Sequence, residues 1–254
     1  MSDILSGGTP ASSAAISIGG VLNRTYGVLV ANLAPFLTIS YLLAVPLLVF
    51  NLLGGGGLAV GASGIGLSYF IAMLLSLATT YITMGALVYG TIAHMRGQPA
   101  GFSTCLTSGL SVIVPVILVA IVVTLLILLG SMLLIVPGIF ATVLTAVAVP
   151  AAVVDRTGVW GSVKRSAELT KGNRLRVLGL LVIFYGVVMG IGWAVTLVGL
   201  PLMRPDGTIL AALAQFVWSG MVTAFFAVFG AVLYHDLRVA KEGINTAQIA
   251  AVFD

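Results

Sequence analysis

The sequence predicts an all-α membrane protein with six transmembrane helices, arranged as three hairpin units that each follow a short amphipathic interfacial helix. First, 60% of the 254 residues are hydrophobic and only 7% are charged, whereas about 25% are charged in soluble domains. Second, the mean hydropathy is +1.20. Third, the charges lie in short stretches between long uncharged runs. These runs reach the length of ~20 residues that a helix needs to cross a bilayer.

The longest uncharged run lies in the middle of the chain. Residues 112–154 contain no charge, which is long enough for two spans and too long for one. A turn is therefore expected inside this run, bracketed by Gly130-Ser131 and Pro137-Gly138, because proline suits the first turn of a helix. The six predicted spans are residues 34–53, 67–93, 112–133, 137–154, 175–200 and 208–234.

A short surface helix is predicted before each pair of spans. Ser17 is the expected N-cap of the first and Ser103 begins the second. The third is expected from about residue 159 to 171, with Gly172 as its C-terminal cap and Asn173 as the N-cap of the next helix. Each surface helix would lie in the interface with its apolar face toward the protein or the lipid.

An internal repeat supports three units. A shift of 141 positions aligns the first surface helix with the third, and a shift of 145 aligns the ends of the hairpins that follow. All three units would then enter the membrane from the same side. The alternative is a coincidence of small residues in a chain rich in Ala and Gly. The matches at the first shift include Gly20 with Gly161, Arg24 with Arg165 and Asn32 with Asn173.

The basic residues predict the orientation. They lie within or beside one predicted polytopic domain, residues 16–243, which we expect between a disordered tail, 1–15, and a short tail, 244–254. Of the eleven basic residues, only Arg204 lies opposite the others, so the positive-inside rule places both termini in the cytoplasm. The residues on the shared side are Arg24, Arg96, Arg156, Lys164, Arg165, Lys171, Arg174, Arg176, Arg238 and Lys241.

A subset of these basic residues is the candidate site for lipid headgroups or a protein partner. Basic residues near an anionic leaflet contribute ~1 kcal/mol each, so topology and lipid adhesion are the simplest interpretation. The pI of about 9.5 reflects a small excess of charge in short loops, which does not indicate nucleic-acid binding. The candidates are Arg24, Lys164, Arg165, Lys171, Arg174, Arg176 and Arg238.

No pattern for catalysis, metal binding or cofactor binding is apparent. The two histidines, His94 and His235, lie at predicted span ends, and Cys105 is the single cysteine. Apart from Arg176 at the start of the fifth, the predicted spans contain no Asp, Glu, Lys, Arg or His, which argues against a proton-coupled carrier. Gly186 and Gly190 have the GxxxG spacing of close helix contact, which is expected within the subunit.

Four stretches resemble a known family: IVPGIF, AVPAAVV, SVKRSAELTKGNRLRVLGLL and LYHDLRVAKEG. They are similar to the membrane domain named after glycerophosphoryl diester phosphodiesterases, and to related uncharacterised bacterial families, over residues 16–243. The resemblance implies a bacterial inner-membrane protein of about six spans. In fused members the phosphodiesterase chemistry belongs to a separate soluble barrel, for which this chain has no room, and no enzymatic activity is expected.

Three functions follow as expectations. The first is a non-enzymatic integral membrane protein that organises or handles lipid or envelope components, with anionic headgroups at the cytoplasmic face as its partners. The second is a transporter or channel for a small or amphiphilic solute. The third is an anchor that recruits a soluble enzyme. A homo-oligomer is compatible with each of these functions.

Overall fold

The structure of the protein, a computed structural model, describes residues 16–52, 67–98, 101–199 and 208–242. These ranges contain ten helices and no strand, which confirms the predicted all-α fold for this part of the chain. Both predicted tails lie outside the described residues, as do the connections between spans 1 and 2 and between spans 5 and 6.

The helices follow the predicted order of a short helix and then two long ones. They are α1 Ile18–Ala31, α2 Leu33–Leu52, α3 Leu67–Met95, α4 Phe102–Ser111, α5 Ile113–Leu133, α6 Ile135–Thr145, α7 Ala148–Asp155, α8 Gly158–Thr170, α9 Arg174–Gly199 and α10 Thr208–Glu242. Six segments are apolar and long enough to cross a membrane, namely α2, α3, α5, α6 with α7, α9 and α10. The chain therefore has the architecture of a multi-pass membrane protein.

The α5–α6 hairpin turns at Leu134, inside the bracket that the sequence predicts. A Cβ on Gly130 would lie 3.2 Å from the Cα of Gly138, so the two glycines let the helices touch. The Leu134 N–H donates to the Gly130 carbonyl at 3.1 Å, and the Gly138 N–H donates to the Leu134 carbonyl at 3.3 Å. These bonds satisfy backbone groups that lipid cannot. The span begins at Ile135 rather than Pro137, which still leaves the proline in the first turn.

The fourth span is two helices rather than the single one predicted. The helix breaks between Thr145 and Ala148, which leaves backbone groups that need partners. Ser166 of α8 supplies them, because its hydroxyl donates to the Leu144 carbonyl at 2.7 Å and accepts from the Val147 N–H at 3.2 Å. The third short helix therefore holds the break in place.

The buried face of α8 is not made of apolar residues alone. Ser162, Ser166 and Leu169 are buried, whereas Trp160 is 72% exposed. The small serines allow close packing, and the Ser162 hydroxyl is satisfied by the Gly158 carbonyl at 2.7 Å. In a membrane protein the surroundings are themselves apolar, so a large apolar residue gains little by turning inward.

The last helix is the centre of the packing. α10 contacts α1, α2, α3, α7 and α8, and its buried residues run from Ala224 to Leu237. It continues past the predicted end at Tyr234 to Glu242, because its final turns carry charged residues that bind other helices. We call this end of the bundle, with Asp155 and Arg238, the charged end.

The opposite halves of the spans expose large apolar side chains, as lipid-facing helices do. Examples are Leu74 of α3, Leu129 of α5 and Met189 of α9, which are 59–62% exposed. Gly186 and Gly190 are also exposed, and a Cβ on either would meet no atom within 4 Å. The expectation that this GxxxG pair makes a contact within the subunit is therefore wrong for the described residues.

Candidate functional site

An acidic residue organises the charged end. Asp155, the last residue of α7, accepts hydrogen bonds from three side chains. The Tyr234 hydroxyl donates to Oδ1 at 2.8 Å, Arg238 Nη1 donates to the same oxygen at 3.4 Å, and Arg165 Nε donates to Oδ2 at 3.4 Å. These bonds join α7, α8 and α10.

A second carboxylate completes this group, the Asp155 cluster, which consists of Asp155, Arg165, Tyr234, Arg238 and Glu242. Arg238 Nε donates to Glu242 Oε2 at 2.8 Å, and Arg165 pairs with the other oxygen of the same carboxylate. Two guanidinium groups thus face two carboxylates. The cluster is electrically balanced, which suits a structural joint better than attraction of a further anion.

A separate ion pair ties the first helix to the last. Arg24 of α1 pairs with Asp236 of α10, and His235 Nδ1 lies 3.4 Å from Asp236 Oδ1. Asp236 is buried, so the arginine compensates a carboxylate that is costly to leave alone. Three of the predicted lipid contacts, Arg24, Arg165 and Arg238, therefore already have carboxylate partners, and their role toward lipid stays a prediction.

Three other predicted lipid contacts, Lys164, Lys171 and Arg176, are exposed. Among the described residues none of them forms an ion pair. The one side-chain bond here is Arg176 Nη1 to Asn173 Oδ1 at 3.4 Å. We call these three residues the open basic face.

An aromatic residue accompanies the open basic face. Trp160 stands four positions before Lys164 on α8, so the two side chains share one side of the helix. Leu175, between the two basic ends of the face, is 84% exposed. Exposed tryptophan and leucine beside lysine is the composition of a surface that contacts a membrane interface.

The seventh predicted residue, Arg174, is held differently. Its guanidinium carbon lies 5.0 Å from the centre of the Phe140 ring of α6. Its Nε is buried and has no hydrogen-bond partner among the described residues. Arg174 therefore belongs to the packing between α6 and α9 rather than to the open basic face.

A polar cavity lies between the C-terminal ends of α3 and α7. Its volume is about 160 Å³, and two arginines, Arg96 and Arg156, line it. The remaining lining residues are Tyr89, Ile92, Ala93, Gln98, Val153 and Val154. The sequence identified both arginines only as markers of orientation, because they are far apart in the chain and belong to different units of the repeat.

A second cavity, of about 140 Å³, is apolar and lies deeper in the bundle. It is lined by residues of α3, α5, α6, α7, α9 and α10, and it adjoins the break between α6 and α7. Met84 and Val88 of α3 and Val149 and Pro150 of α7 form part of its wall.

Within the described ranges no three His, Cys, Asp or Glu side chains group closely enough to hold a metal ion. Cys105 is buried in α4, where its sulfur would lie 3.1 Å from a Cβ on Gly90. The absence of enzymatic activity stays a prediction.

One comparison with known proteins gives a match. A family model described as a domain of unknown function, DUF7847, covers residues 36–237. No curated protein and no solved structure gives a match to this chain. The match agrees with the expectation of an uncharacterised family, and the narrower resemblance to the membrane domain of glycerophosphoryl diester phosphodiesterases stays a prediction.

Proposed function

This chain belongs to the DUF7847 family, whose function is unknown, and from that premise we propose a function on physical grounds. The protein is a non-enzymatic integral membrane protein that organises or handles anionic lipid at one face of the bilayer. Its charged end is the working surface. The bilayer is the bacterial inner membrane, and both termini are cytoplasmic by the positive-inside rule.

The observation that carries this proposal is the contrast within the charged end. Arg24, Arg165 and Arg238 are matched by carboxylates. The open basic face has no such partner among the described residues and has Trp160 beside it. Three basic residues near an anionic surface contribute roughly 3 kcal/mol, at ~1 kcal/mol each. This attraction is enough to enrich anionic lipid around α8 and the start of α9.

The transporter alternative requires a polar path along the bundle. The described residues form a polar cavity at the charged end and a distinct apolar cavity deeper in the bundle. Separate polar and apolar cavities favour contact with an amphiphile over passage of a hydrophilic solute.

The test is the composition of the lipid that remains with the protein. The chain is purified in native-lipid particles, and the fraction of anionic phospholipid is measured for the wild type and for a Lys164→Gln, Lys171→Gln, Arg176→Gln variant. We expect the fraction of anionic phospholipid that remains with the variant to fall toward the fraction in the bulk membrane. An unchanged fraction would overturn the proposal, and co-purification of a soluble hydrolase would favour the anchor function instead.

A matched control lies on the same helix. Glu168 is exposed and stands four positions after Lys164, where its charge opposes that of the open basic face. Glu168→Gln should raise the anionic fraction, because it removes a negative charge from the same surface. A change in the same direction as the triple variant would show that helix damage, not charge, is being measured.

A further inference from the structure

The cavity between α3 and α7 is built by two helix ends that fold back sharply. At the end of α3, Gly97 has a φ of +71° and the Gln98 N–H donates to the Ala93 carbonyl at 3.0 Å. This Schellman-type end needs glycine at that position. It brings Arg96 and Gln98 to the same cavity wall.

Arg156 at the end of α7 has a left-handed backbone, with φ 51° and ψ 33°. Among the described residues it is the one non-glycine residue with positive φ. Glycine or asparagine ordinarily occupies such a position, because a Cβ is strained there. Strain of this kind persists where the side chain has a use that compensates it.

Both arginines of the cavity lack a carboxylate. In the described part of the chain, neither Arg96 nor Arg156 forms an ion pair. Asp155, which precedes Arg156 in the sequence, pairs instead with Arg165 and Arg238. The Arg156 Nη2 donates to the Ser111 hydroxyl at 3.4 Å. Both arginines line the same small cavity and are exposed, so an anion in the cavity could accept charge-assisted hydrogen bonds from both guanidinium groups.

Helix dipoles offer a simpler role for these residues, because basic side chains near helix C-termini interact favourably with the last carbonyl groups. That role requires neither a shared cavity nor a strained backbone. The cavity is also many times larger than the ~10–15 Å³ that accommodates one water molecule. It is large enough for a phosphate group, whose oxygens match the fork of an arginine.

The apolar cavity supplies the second half of an amphiphile site. Residues of α3 and α7 line both cavities. Along α3 the centres of the two linings are about seven residues, or about 10 Å of helix, apart. The apolar cavity is lined there by Met84 and Val88, and the polar cavity by residues from Tyr89 to Arg96. A headgroup phosphate and the upper part of an acyl chain are separated by a similar distance.

We infer that the Arg96–Arg156 cavity binds the phosphate group of a phospholipid, whose acyl chain extends toward the apolar cavity. This inference rests on the proposed function and assigns it a specific site. The recognition is by charge-assisted bonds from the two guanidinium groups, with Gln98 and Tyr89 as further polar neighbours.

Native mass spectrometry of the full chain in detergent tests the site with three probes: dioctanoyl phosphatidylglycerol, dioctanoylglycerol and inorganic phosphate. We expect binding of the first with an affinity at least about tenfold above the other two, since each lacks one of the two chemistries. Equal binding of inorganic phosphate would overturn the lipid assignment. Equal binding of dioctanoylglycerol would overturn the phosphate assignment.

Arg156→Gly is the decisive variant. Glycine adopts the left-handed conformation of this position without strain, so the Tm should equal or exceed that of the wild type. The affinity for dioctanoyl phosphatidylglycerol should fall about tenfold, because one guanidinium group is lost. Arg96→Gln should lower the affinity similarly. Wild-type affinity in both variants would overturn the site.

Lys241→Gln removes the same charge outside both the cavity and the open basic face, and it should leave this affinity within about twofold because Lys241 is exposed and does not line the cavity. An equal loss in Lys241→Gln would show that general charge attraction is being measured and would overturn the site. The proposed function is judged separately, by the lipid composition of the triple variant in native-lipid particles.

Discussion

Arg174 and Phe140 form a cation–π contact, with the guanidinium carbon 5.0 Å from the ring centre. The contact joins the first residue of α9 to the first half of the broken fourth span. This half, α6, ends at Thr145, before the break that separates it from α7. The aromatic face also provides a partner for a guanidinium whose Nε is buried.

Phe140→Leu should therefore destabilise the protein by about 0.5–2 kcal/mol, the range of cation–π contacts. Thermal unfolding in detergent measures the effect. Phe102→Leu is the control, because Phe102 on α4 is exposed to a similar degree but is in no cation–π contact among the described residues, so this change should affect stability less. A double-mutant cycle with Arg174→Met isolates the pair, and a coupling energy of zero would contradict the contact.

Ser166→Ala should cost about 1–3 kcal/mol, because it leaves the Leu144 carbonyl and the Val147 N–H without their partner in a buried place. Ser162→Ala is the matched control on the same helix. Its hydroxyl bonds only to the carbonyl four residues earlier, which the helix backbone also satisfies. Equal unfolding free energies for the two variants would show that Ser166 does not support the break.

Gly109→Ala should weaken the contact between α4 and α3. The new Cβ would lie 2.7 Å from the Ile82 carbonyl oxygen and 2.8 Å from the Ala86 nitrogen, both of which are backbone atoms that cannot rotate away. Overpacking of this kind typically costs about 1–3 kcal/mol. Gly27→Ala is the control, since a Cβ there meets nothing within 4 Å and should be neutral or stabilising by up to ~1 kcal/mol.

Asp155→Asn should destabilise the charged end by about 1.5–3 kcal/mol, the scale of hydrogen bonds to charged groups. The change leaves Arg165 and Arg238 facing a neutral amide, while the size of the side chain stays the same. Denaturant unfolding in detergent measures the loss. Glu168→Gln removes an exposed charge and should have almost no effect, so a similar loss in both variants would contradict the structural role of Asp155.

The spans and the α5–α6 turn could be predicted from the sequence, because exclusion of charge from hydrocarbon is a property of the chain itself. Gly130 and Gly138 marked the turn correctly since helices that touch need small residues. The end of α10 could not be predicted in this way. Its charged turns resemble a solvated tail until Asp155 and Arg24 are seen beside them in space.

The candidate site was less accessible to sequence reasoning. A basic cluster can be read from composition, but only the fold shows that Arg165 is neutralised and Lys164, its neighbour, is not. The buried face of α8 is a related case. Periodicity identifies the apolar side of a helix, whereas the side of α8 that is buried contains Ser162 and Ser166, and Trp160 is exposed.

The ion pair between Arg24 and Asp236 has a consequence for biogenesis, because the two residues are 212 positions apart. At a synthesis rate of 5–20 residues per second, roughly 10–40 s pass between their emergence from the ribosome. During that interval the first amphipathic helix has an unmatched cation and no final docking surface. The buried Asp236 meets its partner only when the last helix is inserted, so that insertion is the step that joins the first helix to the last.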